Sequence, residues 1–230
     1  MNPAVTQTTS QRYLESNPQP SAQAQPLART ARAAAPVTNL LPGFADPGVQ
    51  AQAVFRVALQ AMAEPGQPQA LAADCGVPKG LSPALAALLL TLADVDTPVW
   101  LPAGMDGAAA AFLRFHCGCP LVDTPAQATF VVVPAGHAAP DLADCNGGDP
   151  AYPDRSTTLL IEVAGWQGGA TLRLTGPGIA DERMLAPAGL PADFWRQWAV
   201  NHRRFPQGVD VLLTHDRAVC GLPRTTRVEA

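Results

Sequence analysis

The stretch Ala84–Asp94, ALAALLLTLAD, constrains this chain more than any other. It is apolar almost all the way round a helix, so it must be covered on every side. Ser82 stands where its hydroxyl can cap the helix, and Pro83 takes the first helical position. Asp94-Val-Asp-Thr-Pro98 ends it. A helix that needs neighbours all round implies a layered structure with a sizeable core. The 230 residues are 47% hydrophobic. A chain of this size can bury roughly 70% of its unfolded surface without a disulfide or metal staple.

The flanking segments supply the layers. Asp46 and Pro47 open an earlier helix in which Ala51, Phe55, Ala58, Leu59 and Met62 share a face, and Pro65-Gly66 stops it. Val99-Trp-Leu reads as a short strand, Asp106 caps a helix over roughly 108–115, and Ala128–Val133 is a strand. The unbroken TFVVV suits a strand covered on both faces, and strand–helix–strand order predicts a right-handed crossover and a parallel pair. Residues 134–157 form a long loop rich in Gly, Pro and Asp, of the kind often functional or mobile. Thr158–Val163 and Ala170–Thr175 flank Gly165-Trp-Gln-Gly-Gly169, whose turn chemistry predicts a hairpin. Pro191–Arg203 is a helix with Phe194, Trp195 and Trp198 for one face, and Val209–Thr214 and Ala218–Leu222 form a last hairpin. Helices early and hairpins late predict an α/β fold, a mixed sheet with helical cover, over residues 39–230. Residues 1–38 form a Pro-, Gln- and Ala-rich tail, broken by five prolines and poor in large apolar side chains, and are expected to be disordered.

Composition excludes several classes. The net charge is −4; Arg12, Arg29 and Arg32 against Glu15 leave the tail at +2, so 39–230 carry −6. A duplex binder needs a basic footprint to release counterions, and this chain offers none overall, so no nucleic acid is expected. No run of 18 apolar residues predicts a membrane span, and residues 1–38 lack the apolar core of a signal peptide; a cytoplasmic address is expected. The five cysteines are odd in number and contain no CxxC, which suits reduced thiols behaving as small hydrophobes. Cys117-Gly-Cys119 is spaced too tightly for a zinc knuckle; beside His116 it keeps a metal or redox role open as the alternative.

Candidate sites are sparse, and no catalytic, cofactor or metal set is expected. No GxxxxGK[ST], GxGxxG, GxSxG or HExxH pattern occurs. Gly176-Pro177-Gly178 follows a strand and its N–H groups can face an anion, although Pro177 removes one donor and a structural turn is the competing reading. His116 follows a helix, where it can serve the last carbonyls. Pyridoxal phosphate chemistry needs a lysine, and Lys79, the only one, sits in the polar loop Val77-Pro-Lys-Gly80. In Leu222-Pro-Arg-Thr-Thr-Arg227, Arg224, Thr225 and Thr226 can grip a phosphate or a partner's carboxylates, against the alternative of solvated surface charges.

Six segments, in order, resemble one family. GFADPGVQAQAVFRVALQAMAEPG (43–66), LLTLADVDTPVWL (89–101), LRFHCGCPLV (113–122), ATLRLTGPGI (170–179), FPQGVDVLLT (205–214) and LPRTTRVE (222–229) are similar to the H subunits of the bacterial carbon–phosphorus lyase core complex. The resemblance implies a fold related to pyridoxal-phosphate-dependent transferases without the cofactor. It also implies a homodimer and partners in the G, I and J subunits. The implied function is support for making α-D-ribose 1-methylphosphonate 5-triphosphate from ATP and methylphosphonate, in an accessory or assembly role. The alternative is a subunit with its own phosphonate or nucleotide phosphate site. Cys117 and Cys119 depart from the family, standing where a Thr and a small residue are expected.

Overall fold

The computed structural model describes residues 40–229. The tail 1–38, expected to be disordered, lies outside the described residues. Four helices form where capping and spacing predict them. α1 (Pro47–Ala63) opens with Asp46 Oδ1 accepting from Val49 N, and α2 (Pro83–Leu92) with Ser82 Oγ accepting from Leu85 N. α3 (Gly107–His116) is capped by Asp106, and α4 (Phe194–Arg203) begins at Phe194. In α2 the six residues Ala84–Leu89 are all buried, as an all-apolar helix requires.

The main sheet has seven strands: β1 (Gln69–Ala70), β2 (Val99–Trp100), β3 (Leu121–Val122), β4 (Phe130–Val133), β5 (Thr158–Glu162), β8 (Asp210–His215) and β9 (Ala218–Leu222). Their order is β1-β9-β8-β5-β4-β2-β3, and β9 runs against the other six. A second sheet holds β6 (Leu172–Thr175), β7 (Arg183–Leu185) and β10 (Arg227–Glu229) in the order β10-β6-β7. The chain is therefore α/β, a mixed sheet with helical cover.

Strand alternation divides the core in two. Val132, Leu160, Leu212 and Val219 point to one side, under α1, α2 and α3. Val131, Val133, Leu159, Ile161, Val211, Leu213 and Cys220 point to the other, under α4 and the small sheet, where Phe194, Trp198, Leu172 and Leu174 complete the packing. The parallel pairing of β2 with β4 and the β8–β9 hairpin agree with expectation.

Two expectations fail. β5 and β6 are not a hairpin: β5 lies between β4 and β8, parallel to both, while β6 belongs to the small sheet. The turn after β5 pairs with 186–188 instead, through Ala164 N to Ala188 O, Ala188 N to Gly165 O and Gly169 N to Ala186 O. TLLIE is apolar on both faces and gains more from two parallel neighbours in the core than from one hairpin partner. The core face of α1 is also different: Val54, Ala58 and Ala61 are buried, while Phe55 is 45% and Leu59 53% exposed. The helix rests on β9 at Gly221, and such a close approach admits only small side chains. The small residues turn inward and the bulky ones outward.

The loop 134–157 is pinned rather than loose. It contains two 3-10 turns, at Leu142–Asp144 and Pro153–Arg155. Leu142 N donates to Gln197 Oε1, Thr157 Oγ1 to the Ala128 carbonyl, and Gly208 N to the Gly147 carbonyl.

Candidate functional site

The C-terminal run folds as a seam between the two sheets. Asp210 starts β8, and Pro223–Thr226 carries the chain from β9 across to β10. Arg224 is at the centre, its side chain 12% exposed. Its Nε donates to both Asp210 oxygens, at 3.1 and 3.2 Å, and its Nη1 to the carbonyls of Pro153 (3.0 Å) and Pro206 (3.2 Å). Nη2 donates to Ser156 Oγ and Asp210 Oδ2, and the Arg224 backbone N reaches Asp210 Oδ1 at 2.7 Å. A guanidinium has five N–H donors, and all five are engaged within the chain. They tie β8, the long loop and the α4–β8 connection together and leave no donor for an external phosphate in this conformation.

Thr226 and the Gly176 turn do meet. A Cβ added at Gly176 would lie 3.0 Å from the Thr225 carbonyl oxygen and 3.5 Å from Thr226 Cα, which is how closely the turn approaches. Gly178, at φ +81°, lies against the end of α1, where a Cβ would come within 2.9 Å of Pro65 Cδ. Left-handed backbone and close approach both demand glycine there. One turn amide is already used, Ile179 N donating to the Gly176 carbonyl. Thr226 is fully buried: its N donates to the Pro223 carbonyl and its carbonyl accepts from Trp198 Nε1 at 3.0 Å. Its hydroxyl oxygen has no hydrogen-bond partner among the described residues. A buried hydroxyl without a partner costs stability, and a methyl of similar shape does not. We therefore expect Thr226→Val to be neutral or to stabilise by about 1 kcal/mol in urea unfolding; a clear loss would mean that the hydroxyl holds something.

A cleft opens beside this seam, between the second half of α4 and β10. Trp198, Ala199, His202, Arg203, Arg227, Val228 and Glu229 line about 430 Å³. His202 Nδ1–H donates to the Arg224 carbonyl at 2.9 Å, which turns the other ring nitrogen away from that bond. Glu229 is held by Arg173 on one oxygen and by Arg227 Nη2 on the other, at 2.9 Å. The Arg173 contact, more than Arg227, keeps the Glu229 carboxyl below its usual range.

A half-buried carboxylate at the C-terminal ends of β5 and β8 escaped the sequence reading. Glu162 Oε2 accepts from Ser82 Oγ (2.6 Å) and Thr214 Oγ1 (2.5 Å), and Oε1 from Asp216 N (2.9 Å). Open α/β sheets bind ligands at this end. Here, however, the carboxylate fastens the start of α2 and the β8–β9 turn to the sheet. An acidic residue closing an otherwise apolar strand was the available signal.

The remaining candidates are dispersed. Lys79 is 84% exposed, its ammonium 3.5 Å from Asp106, so nothing desolvates it for imine chemistry. His116 Nε2–H donates to the Leu41 carbonyl at 2.9 Å, tying α3 to the segment before α1. All five cysteines are unpaired. Burial pushes the Cys145 and Cys220 thiols up to about 12, whereas the interaction of Cys117 with Cys119 raises the first and lowers the second; the Cys117 Sγ donates to the Leu89 carbonyl at 3.6 Å. Among the described residues no three His, Cys, Asp or Glu side chains converge as a metal site.

Comparison with known proteins covers nearly all of this structure. Residues 42–229 match the family described as "Bacterial phosphonate metabolism protein (PhnH)". The chain is 43% identical over 187 residues to "Alpha-D-ribose 1-methylphosphonate 5-triphosphate synthase subunit PhnH" of Rhizobium meliloti (strain 1021), across 81% of this chain and 94% of the relative. It is 38% identical over 76 residues to "Putative C-P lyase subunit protein HtxG" of Stutzerimonas stutzeri, across 33% of this chain and 39% of that protein.

Proposed function

The chain belongs to the PhnH family of bacterial phosphonate metabolism proteins, and from that premise we propose that it is the H-type subunit of a carbon–phosphorus lyase complex. In this reading it supports synthesis of α-D-ribose 1-methylphosphonate 5-triphosphate from ATP and methylphosphonate, and it does so by docking rather than by its own chemistry. The observation that carries the docking role is the inward commitment of the two best-placed polar groups. Arg224 spends all five donors, and the Glu162 carboxylate accepts three hydrogen bonds, within the chain.

Further support comes from α1, which turns Phe55 and Leu59 outward. Exposed apolar residues grouped on one helix suit a protein interface. The proposed partners are a second copy and the G, I and J subunits, in the cytoplasm. No helix among the described residues is long and apolar enough to cross a membrane. Kinship of fold with pyridoxal-phosphate-dependent transferases, without the cofactor, remains part of the proposal and rests on the resemblance of sequence segments alone; the main sheet has seven strands, one of them reversed.

Deleting the gene in its host is expected to abolish growth on methylphosphonate as sole phosphorus source, with growth on inorganic phosphate unchanged and a plasmid copy restoring the loss. Normal growth of the deletion strain would sink the proposal. A second reading places a phosphonate or nucleotide phosphate site on Arg224, Thr225, Thr226, Gly176 and Gly178. The contact of the Gly176 turn with Thr225 and Thr226 favours it. That reading expects Thr226→Val to weaken ligand binding while the fold is kept.

A further inference from the structure

We propose that the cleft between α4 and β10 binds an oligophosphate anion through Arg203, Arg227 and His202. Arg203 is exposed and enters no ion pair among the described residues. Arg227 gives Nη2 to Glu229 and is otherwise uncommitted, its side chain 67% exposed. His202 is oriented by the Arg224 carbonyl, so the strap that uses up Arg224 also positions a cleft residue. Among the described residues the carboxylate of the cleft, Glu229, is matched on both oxygens by Arg173 and Arg227, which leaves Arg203 in excess.

Size and surroundings favour a multiply charged small molecule. The cleft, at about 430 Å³, lies within the range of small-ligand sites of roughly 300–1,000 Å³. Its wall includes the buried Trp198 and half-buried Val228 and Ala199, apolar surface that limits competition from water. The last carbonyls of α4 carry partial negative charge and oppose any anion. A single phosphate or carboxylate would meet that opposition with few contacts. A chain of phosphates can span both arginines, each offering the planar fork that suits phosphate oxygens.

The inference rests on these residues and not on the assembly reading, so its test uses the isolated full chain. Isothermal titration at low salt with tripolyphosphate, ATP and adenosine separates a free oligophosphate from a nucleotide. Tripolyphosphate and ATP are both expected to bind saturably, one per chain, and adenosine not at all. Each of Arg203→Ala and Arg227→Ala should weaken binding about tenfold, as the loss of one charge-assisted contact does. Arg196→Ala, two turns earlier on α4 and outside the cleft lining, should leave affinity unchanged. Both cleft arginines are exposed, so their variants should melt with the parent protein. A Kd that falls in the nucleotide and rises in tripolyphosphate would assign the cleft to a nucleotide's phosphates. The proposal is overturned by no saturable heat with either phosphate, by equal affinity in the arginine variants, or by adenosine binding as tightly as ATP.

Discussion

Arg224→Ala is expected to lower the unfolding free energy by about 3–5 kcal/mol, the range for removing one partner of a buried ion pair. The two side chains are 12% and 18% exposed, so solvent screens the pair little. Alanine leaves the Asp210 carboxylate with one remaining contact to the chain, the backbone N of residue 224. It also takes the donor from the buried Ser156 hydroxyl and from the carbonyls of half-buried Pro153 and exposed Pro206, the last of which water can satisfy. The orphaned Ser156 hydroxyl, buried in the fold, adds its own desolvation cost. Lysine keeps the charge but presents one rotating ammonium in place of a planar fork, so Arg224→Lys should recover less than half of the loss. Urea unfolding with a constant m-value measures both. A loss below about 1 kcal/mol in the alanine variant would place this strap among surface ion pairs of little worth.

The second large effect is expected at Gly221, in the middle of β9. A Cβ there would lie 2.5 Å from the Ala61 carbonyl carbon and 2.7 Å from Met62 N, both main-chain atoms of α1. Real contacts of that kind do not occur, and backbone cannot rotate out of the way as a side chain can. Gly221→Ala must therefore lift α1 from the sheet and open the packing of Ala58 and Ala61 against Val219. Overpacking in a dense core costs typically about 1–3 kcal/mol, and a main-chain collision belongs at or above the top of that range. The variant should unfold at markedly lower urea and bind a hydrophobic dye at rest. Parent-like stability would mean that α1 rests on the sheet less tightly than these contacts require.

The α1–β9 contact also shows why part of the fold was illegible in the sequence. Spacing alone put Phe55, Leu59 and Met62 on a core face, because large apolar side chains are ordinarily inside. The deciding residue was Gly221, more than 150 positions further on, and its effect is to reward small side chains. Burial then fell to Ala58 and Ala61 and left Phe55 and Leu59 exposed. The β5–β6 error has the same origin. Gly165–Gly169 is turn-forming in any context, but the strand it leads back to is set by which partner buries the apolar faces of β5.

The candidate site divides similarly. Leu222–Arg227 stood out in the sequence as a dense polar run, and the structure does place it at a junction. Arg224, however, is bound to Asp210, Pro206, Ser156 and Pro153, between 14 and 71 residues away. None of those distances leaves a periodic trace, so nothing local distinguished a guanidinium held inward from one held out. The arginines that line the cleft, Arg203 and Arg227, belong to different elements brought together only by the docking of α4 on β10.

The amino-acid sequence by itself determined the four helices, with caps on the first three, the all-apolar α2, the buried strand β4, the β8–β9 hairpin and the family. These follow from short-range terms: capping bonds three residues apart, the 3.6 and 2.0 periods, and the desolvation of continuous apolar runs. Tertiary structure alone decided the partner of β5, the outward face of α1 and the committed state of Arg224. Each of those depends on which surfaces approach most closely, and close packing is settled between segments far apart in the chain.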